Sequence, residues 1–314
     1  MPPAFAPSRI LKANAPDLLR DLDLTDDELA YLLDLAAQLK LSPHEYAHSL
    51  DGRSIALLFE KPSLRTRVTF EIAIRELGGA SVFCEGPIGV REPLKDIARN
   101  LDRWVHGIVA RVFSQATVEG LAEWSRVPVI NALTDAYHPC QALADMQTLR
   151  ERFGRFKGLK LAFVGDGNNV AHSLMLSSIR LGMDFALACP QGYLPNPDIV
   201  SQAEGLAAVS GATLQITHDP AEALAGSYAV YTDVWASMGQ EQEAVLRKKA
   251  FHNYQVNDHL FGLARPDAIF MHCLPAKRGE ECTDSVMESE RSVVFDQAEN
   301  RLHAQKALLL MMLN

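Results

Sequence analysis

Ser63, Arg65 and Thr66 stand directly after a run of apolar residues, 55–59, which predicts a short buried strand. The apolar spacing after them predicts a helix over residues 68–77. A strand, a tight turn and a helix aim backbone N–H groups at one point, on the positive end of the helix dipole. Two hydroxyls and a guanidinium at that end suit phosphate oxygens. The stretch therefore predicts an anion site, in preference to a plain helix cap with solvated arginines.

Further polar segments follow other predicted strands. In open parallel sheets, ligands bind beyond the carboxyl ends of the strands. The segments that meet this condition are Arg111, His138-Pro139-Cys140-Gln141, Asn168-Asn169, the stretch from Asp233 to Gly239, and His272-Cys273-Leu274-Pro275. Each has a simpler reading as well, since a histidine before proline often belongs to a turn and a cysteine after a strand often packs as a small apolar residue.

Strands and helices alternate along the whole chain, which predicts parallel sheets covered by helices. The pattern restarts after residues 154–158. We therefore predict an α/β protein of two domains, 1–149 and 150–314, with the active site in the cleft between them. The apolar C-terminal residues predict a helix over 298–314 that packs back on the first domain, with Arg301 near its start.

The composition limits the classes of partner. The chain has 314 residues, of which 48% are hydrophobic and 22% charged, as in a globular protein with a sizeable core. Its net charge of −9 argues against nucleic-acid binding, which needs a basic surface. Arginines gathered in motifs of an acidic chain indicate a small anionic ligand.

The five cysteines are an odd number without a CxxC or CxxH pair, which disfavours a disulfide framework and a zinc site and fits a reducing cytoplasm. No signal-peptide pattern opens the chain, and the apolar C-terminal run is too short to cross a bilayer. We expect a cytoplasmic protein without a membrane partner. Dinucleotide binding is disfavoured too, because Val170 stands where the glycine fingerprint after Gly165 requires glycine.

Five motifs occur in one order: Ser63-Leu64-Arg65-Thr66-Arg67, His138-Pro139-Cys140-Gln141, Asp233 with Ser237-Met238-Gly239, His272-Cys273-Leu274-Pro275, and the stretch from Phe295 to Arg301. In that order the chain resembles the ornithine carbamoyltransferases from about Leu24 onward. The first, second and last motifs would fit several carbamoyltransferases. The serine–methionine–glycine stretch and the His-Cys-Leu-Pro motif point to ornithine.

The resemblance implies transfer of the carbamoyl group of carbamoyl phosphate to the δ-amine of L-ornithine, giving citrulline and phosphate. It implies no metal and no organic cofactor, and a homotrimer or a multiple of trimers. It also implies that carbamoyl phosphate is bound by Ser63, Leu64, Arg65, Thr66, Arg111, His138, Gln141 and Arg301. Ornithine would be bound by Asn169, Asp233, Ser237, Met238, Cys273 and Leu274, and the catalytic residues would be Arg111, His138, Asp233 and Cys273.

Two positions depart from the family pattern. Leu64 stands where the family often has threonine, so a side-chain contact is lost while the backbone N–H can still serve. Pro87 stands in the loop from which many members supply a glutamine or histidine to a neighbouring subunit, and no role is transferred to it.

Two alternatives stay open from the sequence. One is a carbamoyltransferase for another amine, such as putrescine, lysine or an acylated ornithine. The other is a non-catalytic relative that binds carbamoyl phosphate or an amino acid. The sequence does not decide between an anabolic and a catabolic direction.

Overall fold

The structure is a computed structural model that describes residues 10–236 and 241–313. The chain forms two compact units. Unit 1 runs up to Gln147 and resumes at Asn300, and unit 2 is Thr148–Glu299. Among the helices described, none combines the length and the apolar character that a membrane span requires.

Unit 1 contains a four-stranded parallel sheet. Its strands are β1 (Ser54–Phe59), β2 (Ala80–Glu85), β3 (Gly107–Arg111) and β4 (Val129–Leu133), in the spatial order β2-β1-β3-β4. Its helices are α1 (Asp26–Leu41), α2 (Leu64–Glu76), α3 (Leu94–Leu101), α4 (Gln115–Trp124) and the first part of α5 (Pro139–Phe153), with a short 3-10 helix at Pro43–Tyr46. Residues 55–59 of β1 are all buried, which makes β1 the centre of this core.

The strand order of unit 1 determines where a ligand can bind. The chain leaves β1 toward β2 on one side and later enters β3 on the other side, so the sheet changes direction between β1 and β3. Loops that leave two such neighbouring strands diverge and leave a crevice at the carboxyl edge of the sheet. The Ser63 motif follows β1 and Arg111 ends β3, so both lie at this crevice.

Unit 2 contains a five-stranded parallel sheet. Its strands are β5 (Lys160–Val164), β6 (Asp184–Ala188), β7 (Leu214–Thr217), β8 (Ala229–Thr232) and β9 (Ile269–His272), in the order β7-β6-β5-β8-β9. The helices are α6 (Asn169–Arg180), α7 (Pro197–Ser210), α8 (Pro220–Leu224), α9 (Ala244–Ala250), α10 (Asp258–Phe261), α11 (Asp284–Met287) and the first part of α12 (Val294–Leu313), with 3-10 helices at Glu241–Glu243 and His252–Tyr254. Here the direction changes between β5 and β8.

Two helix starts differ from the sequence prediction. Helix α2 begins at Leu64 rather than at residue 68, because the Ser63 hydroxyl caps it by accepting from the backbone N–H of Thr66 at 3.2 Å. Helix α12 begins at Val294, so Arg301 lies inside the helix and the expectation that it stands near the start is wrong. The reason is that the polar residues before the apolar run are themselves buried, as Gln297, Asn300 and Arg301 show.

Candidate active-site residues

The amino end of α2 is the first half of the candidate site. Thr66 is buried, Ser63 and Arg65 are partly exposed, and the Leu64 side chain is exposed. The first-turn N–H groups of Leu64 and Arg65 lie at the positive end of the helix dipole. Leu64 can offer a hydrogen bond to a ligand only from its backbone, because its side chain has no polar atom.

Two arginines converge on the Thr66 hydroxyl. Arg301 donates from Nη2 to Thr66 Oγ1 at 2.9 Å, and Arg111 donates from Nη1 to the same oxygen at 3.5 Å, the longer and weaker contact. All three residues are buried, with at most 7% of their surface exposed. Two guanidinium groups beside a helix amino end form an electropositive point that favours an anion with several oxygens.

Gln141 is linked to the same arginine. Arg301 donates from Nη1 to Gln141 Oε1 at 2.6 Å, and Gln141 donates from Nε2 to Asp145 Oδ1 at 2.8 Å. The Asp145 carboxylate therefore determines which way the Gln141 amide points. Asp145 was not predicted from the sequence, although it stands four residues after Gln141 on the same helix, the spacing at which helical side chains meet.

His138 is a buried imidazole at the amino end of α5. Burial lowers the pKa of His138 well below its ordinary value of 6.5, and the positive charges of Arg301, Arg111 and Lys61 lower it further. The ring is therefore neutral at neutral pH. A neutral imidazole can give a hydrogen bond to a ligand oxygen without adding a charge.

The structure adds Lys61 and Glu60, which the sequence analysis did not assign to the site. Lys61 is 7% exposed, and its ammonium lies 4.5 Å from the centre of the Phe113 ring. The Glu60 carboxylate accepts from the backbone N–H of Ile88 and from that of Phe113, each at 2.9 Å. Glu60 thus ties together the loops that follow β2 and β3. Both residues follow β1 directly, and charged residues in that position could have indicated their role from the sequence.

In unit 2, polar side chains from the carboxyl ends of three strands meet at Asp233. The Cys273 thiol donates to Asp233 Oδ1 at 3.0 Å, and Asn168 donates from Nδ2 to Asp233 Oδ2 at 2.9 Å. The backbone N–H of Val234 also donates to Oδ1, at 2.8 Å. Asp233 and Asn168 follow β8 and β5, the pair of strands between which this sheet changes direction.

Asn168 and Asn169 share the start of α6. Asn168 is the N-cap, and its Oδ1 accepts from the backbone N–H of Val170 at 3.0 Å and of Ala171 at 3.1 Å. Asn169 is the first helical residue, and the sequence analysis assigned the ligand role to it alone. The structure brings Asn168 to Asp233, so Asn168, which the sequence placed in the same segment without a ligand role, is a further candidate.

Leu274 follows Cys273 with a φ of 58°, a left-handed conformation that costs a non-glycine residue about 1–3 kcal/mol. Such outliers cluster at functional sites. The predicted residues Ser237 and Met238 lie outside the described part of the chain.

A buried ion pair lies close to Asp233. Arg247 donates from Nη1 to Asp166 Oδ2 at 2.7 Å and to the backbone oxygen of Trp235 at 3.0 Å. Burial raises the pKa of Asp166 to about 6, and the negative charges of Asp233 and Glu243 add to this, while Arg247 lowers it.

Within the described part of the chain, two groups of side chains have potential metal-ligand atoms within 4.8 Å of one another, namely Asp233 with His272 and Cys273, and His272 with Glu281 and Cys282. Hydrogen bonds already use the ligand atoms of Asp233, His272 and Cys273 and one oxygen of Glu281. The Cys273 thiol donates to Asp233, and both nitrogens of His272 have protein partners. We therefore assign these groups to hydrogen bonding and propose no metal.

Comparison with known families gives two matches that together span nearly the whole chain. The carbamoyl-P binding domain of aspartate/ornithine carbamoyltransferase matches residues 16–151. The Asp/Orn binding domain of the same family matches residues 157–312.

Individual proteins are similar over nearly their full lengths. An ornithine carbamoyltransferase of Thermococcus kodakarensis is 50% identical over 305 residues, covering 95% of this chain and 96% of the relative. An anabolic ornithine carbamoyltransferase of Pyrococcus furiosus is 49% identical, with coverage of 95% and 96%. The solved structure of ornithine carbamoyltransferase from Pyrococcus furiosus has a TM-score of 0.92 at 48% identity and covers 95% of this chain and 97% of its own.

Proposed function

This chain belongs to the aspartate/ornithine carbamoyltransferase family, and we propose that it transfers the carbamoyl group of carbamoyl phosphate to the δ-amine of L-ornithine, giving L-citrulline and phosphate. The observation that carries the phosphate half of this proposal is the convergence of Arg301 and Arg111 on Thr66 at the amino end of α2. Sequence identity of about 50% to proteins named ornithine carbamoyltransferase supports ornithine as the acceptor.

Carbamoyl phosphate binds in unit 1 in this proposal. Ser63, Leu64, Arg65 and Thr66 hold the phosphate through first-turn N–H groups and side chains, together with Arg111. His138, Gln141 and Arg301 surround the carbamoyl group. As the carbonyl carbon becomes tetrahedral, negative charge grows on its oxygen and on the departing phosphate. Thr66, Arg111 and the neutral His138 are the candidate donors to that oxygen, and one such donor is typically worth about 3–4 kcal/mol.

The carbamoyl amino group needs an acceptor, and Gln141 is suited to that role. Its Oε1 faces Arg301 because Asp145 holds the other end of the amide. The link to Arg301 joins this acceptor to the phosphate site. Because these side chains are already held in place, a bound substrate would lose less translational and rotational freedom on reaching the transition state.

Ornithine binds in unit 2 in this proposal, through Asp233, Cys273 and Leu274, together with Asn168 or Asn169 and the undescribed Ser237 and Met238. The δ-amine resembles that of lysine, with a solution pKa of about 10.4, and must be neutral to attack. The Cys273 thiol donates to Asp233 Oδ1 at 3.0 Å, and this contact supports an orienting role for the pair over a nucleophilic role for the sulfur. The cleft between the domains that was expected from the sequence stays a prediction.

A citrulline assay tests the proposal. Carbamoyl phosphate is offered with ornithine, putrescine, lysine, acetylornithine and aspartate in parallel, and we expect product with ornithine by a wide margin. A preference for another amine would redirect the acceptor assignment. Calorimetric binding of carbamoyl phosphate without any product would favour the non-catalytic alternative.

Three finer properties complete the proposal. We propose a homotrimer or a multiple of trimers, to be checked by light scattering against the chain mass of 34.6 kDa. We propose an anabolic role in arginine biosynthesis, since the Pyrococcus furiosus relative is named anabolic. A location in the cytoplasm fits the five free cysteines. Complementation of an arginine auxotroph tests the anabolic role.

A further inference from the structure

The turn that carries Cys273 and Leu274 is backed by two fully buried side chains. His272 and Glu281 are both 0% exposed, and His272 Nε2 lies 3.2 Å from Glu281 Oε1. The proposed reaction assigns a role to neither of them. A buried carboxylate is costly unless it is paired, so its position behind the ornithine residues calls for an explanation.

The hydrogen bonds of His272 indicate its tautomer. Nδ1 accepts from the backbone N–H of Leu274 at 2.8 Å, so in the neutral ring the proton is on Nε2, which donates to Glu281. The backbone N–H of His272 also donates to Gln297 Oε1 at 3.0 Å. Cys273 therefore lies between two residues that are held in place.

Glu281 is itself firmly anchored. Its Oε1 accepts from the backbone N–H of Lys277 at 2.5 Å, and its backbone oxygen accepts from the N–H of Val256 at 2.9 Å. Among the residues that the structure describes, Oε2 has no hydrogen-bond partner. The carboxylate therefore accepts through one oxygen, Oε1, which takes the hydrogen bonds from the His272 ring and from the backbone N–H of Lys277.

We propose that Glu281 and His272 form a positioning pair that holds Leu274 in its left-handed conformation and thereby keeps the Cys273 thiol against Asp233. Glu281 orients the imidazole, and the imidazole holds the Leu274 N–H. The pair touches no substrate and acts through its neighbours. This inference rests on the proposed function, because it deepens the account of the ornithine side of the site.

Because Glu281 accepts hydrogen bonds through Oε1 alone, two substitutions at this position can test the pair. Glu281→Gln can place its amide oxygen at the Oε1 position and keep both hydrogen bonds, whereas Glu281→Leu loses both at similar size. Glu280→Gln is the matched control, since it removes a charge from the same turn, where Glu280 pairs with Lys248 at 3.5 Å. All variants carry Cys84→Ser, because Cys84 is exposed and Cys140, Cys189 and Cys282 are buried, which leaves Cys273 as the accessible thiol.

Two measurements read the position of the thiol. The first is the rate at which iodoacetamide alkylates Cys273, followed by mass spectrometry, and it does not depend on activity. The second is the KM for ornithine compared with the KM for carbamoyl phosphate. For Glu281→Leu we expect faster alkylation and an ornithine KM raised by about 10-fold or more, as for the loss of a hydrogen bond to a charged group, with the carbamoyl phosphate KM unchanged. Glu281→Gln and Glu280→Gln should match the parent.

The result that overturns the inference is a Glu281→Leu protein, folded by circular dichroism, with parental alkylation and ornithine KM. A glutamine variant as impaired as the leucine variant would equally contradict it. If Glu281→Leu does not fold, His272→Asn replaces it, since asparagine lacks the Glu281 bond and should show the same two changes. If the parent makes no citrulline, the proposed function fails while alkylation still tests the pair.

Discussion

Replacement of Arg301 separates the two roles that its guanidinium has in the structure. Its two terminal nitrogens donate to Thr66 Oγ1 at 2.9 Å and to Gln141 Oε1 at 2.6 Å, and its positive charge helps to lower the pKa of His138. Arg301→Gln removes both the positive charge and the planar pair of N–H donors. Arg301→Lys keeps the positive charge but loses the planar pair of N–H donors, which an ammonium cannot reproduce.

The expected size follows from these contacts. A hydrogen bond from a charged group contributes about 1.5–3 kcal/mol, so the loss of one such contact to carbamoyl phosphate should lower kcat/KM for this substrate by roughly 10- to 150-fold. In Arg301→Gln the pKa of His138 should also rise toward its ordinary value, because one of the charges that lower it is gone. The acid limb of the pH profile should then move to higher pH.

The assay is kcat/KM for carbamoyl phosphate at saturating ornithine between about pH 5.5 and pH 8.5. Arg301→Lys should lose activity without the shift of the acid limb. Lys306→Gln is the control, because Lys306 is a buried cation on the same helix that pairs with Glu76 instead. The reasoning is refuted if Arg301→Gln keeps its kcat/KM within about 2-fold of wild type and its acid limb does not move.

Three further variants test separate parts of the site. Arg65→Ala should raise the KM for carbamoyl phosphate by roughly 10-fold or more and leave the fold intact; a wild-type saturation curve would remove Arg65 from the phosphate site. Cys273→Ala should use ornithine less well yet keep measurable turnover, and rapid mixing of wild type with carbamoyl phosphate alone should give no burst of phosphate; a burst that the mutant lacks would identify Cys273 as a nucleophile. Glu60→Ala should lose about 1–3 kcal/mol in the free energy of unfolding, measured in urea, because two loop N–H groups lose their acceptor. If Glu60→Ala unfolds at the same urea concentration as wild type, Glu60 does not stabilise these loops.

The sequence predicted the strands well, because most of them are short apolar runs between turn residues. The predicted strand over 55–59 differs from β1 by one residue. Such runs have few alternatives, since buried parallel strands need apolar side chains on both faces. Parallel sheets in two units followed from the alternation, and the structure confirms this.

The sequence did less well where polar residues are buried. The start of α12 was placed too late because Gln297, Asn300 and Arg301 look like solvated residues in the sequence, and only tertiary partners show that they are inside. The sequence named the Asn168-Asn169 segment but assigned the ligand role to Asn169 alone. Whether the first or the second asparagine faces Asp233 depends on the N-cap geometry of α6, which residue type alone does not determine.

Asp166 provides a prediction about stability that is independent of activity. Burial raises its pKa from 3.8 to about 6, despite the ion pair with Arg247. The folded protein therefore binds the Asp166 proton more tightly than the unfolded chain does. The stabilisation from this group is fully present below about pH 3.8 and is lost as the pH rises through about 6. The pKa of His138 is lowered, so its contribution has the opposite sign and is lost as the pH falls below its ordinary value.

Comparison with Asp166→Asn isolates the carboxyl group, because the His138 contribution is common to both proteins and cancels in the difference. Asparagine keeps the shape and cannot titrate. Between pH 7 and pH 5 the free energy of unfolding of wild type should rise relative to the mutant by about 1 kcal/mol, and by on the order of 3 kcal/mol once the pH is below both pKa values. Urea unfolding of both proteins at pH 7, 6 and 5 measures this difference. Parallel stability curves would mean that Asp166 stays ionised in the folded protein, with the charge of Arg247 outweighing the cost of burial.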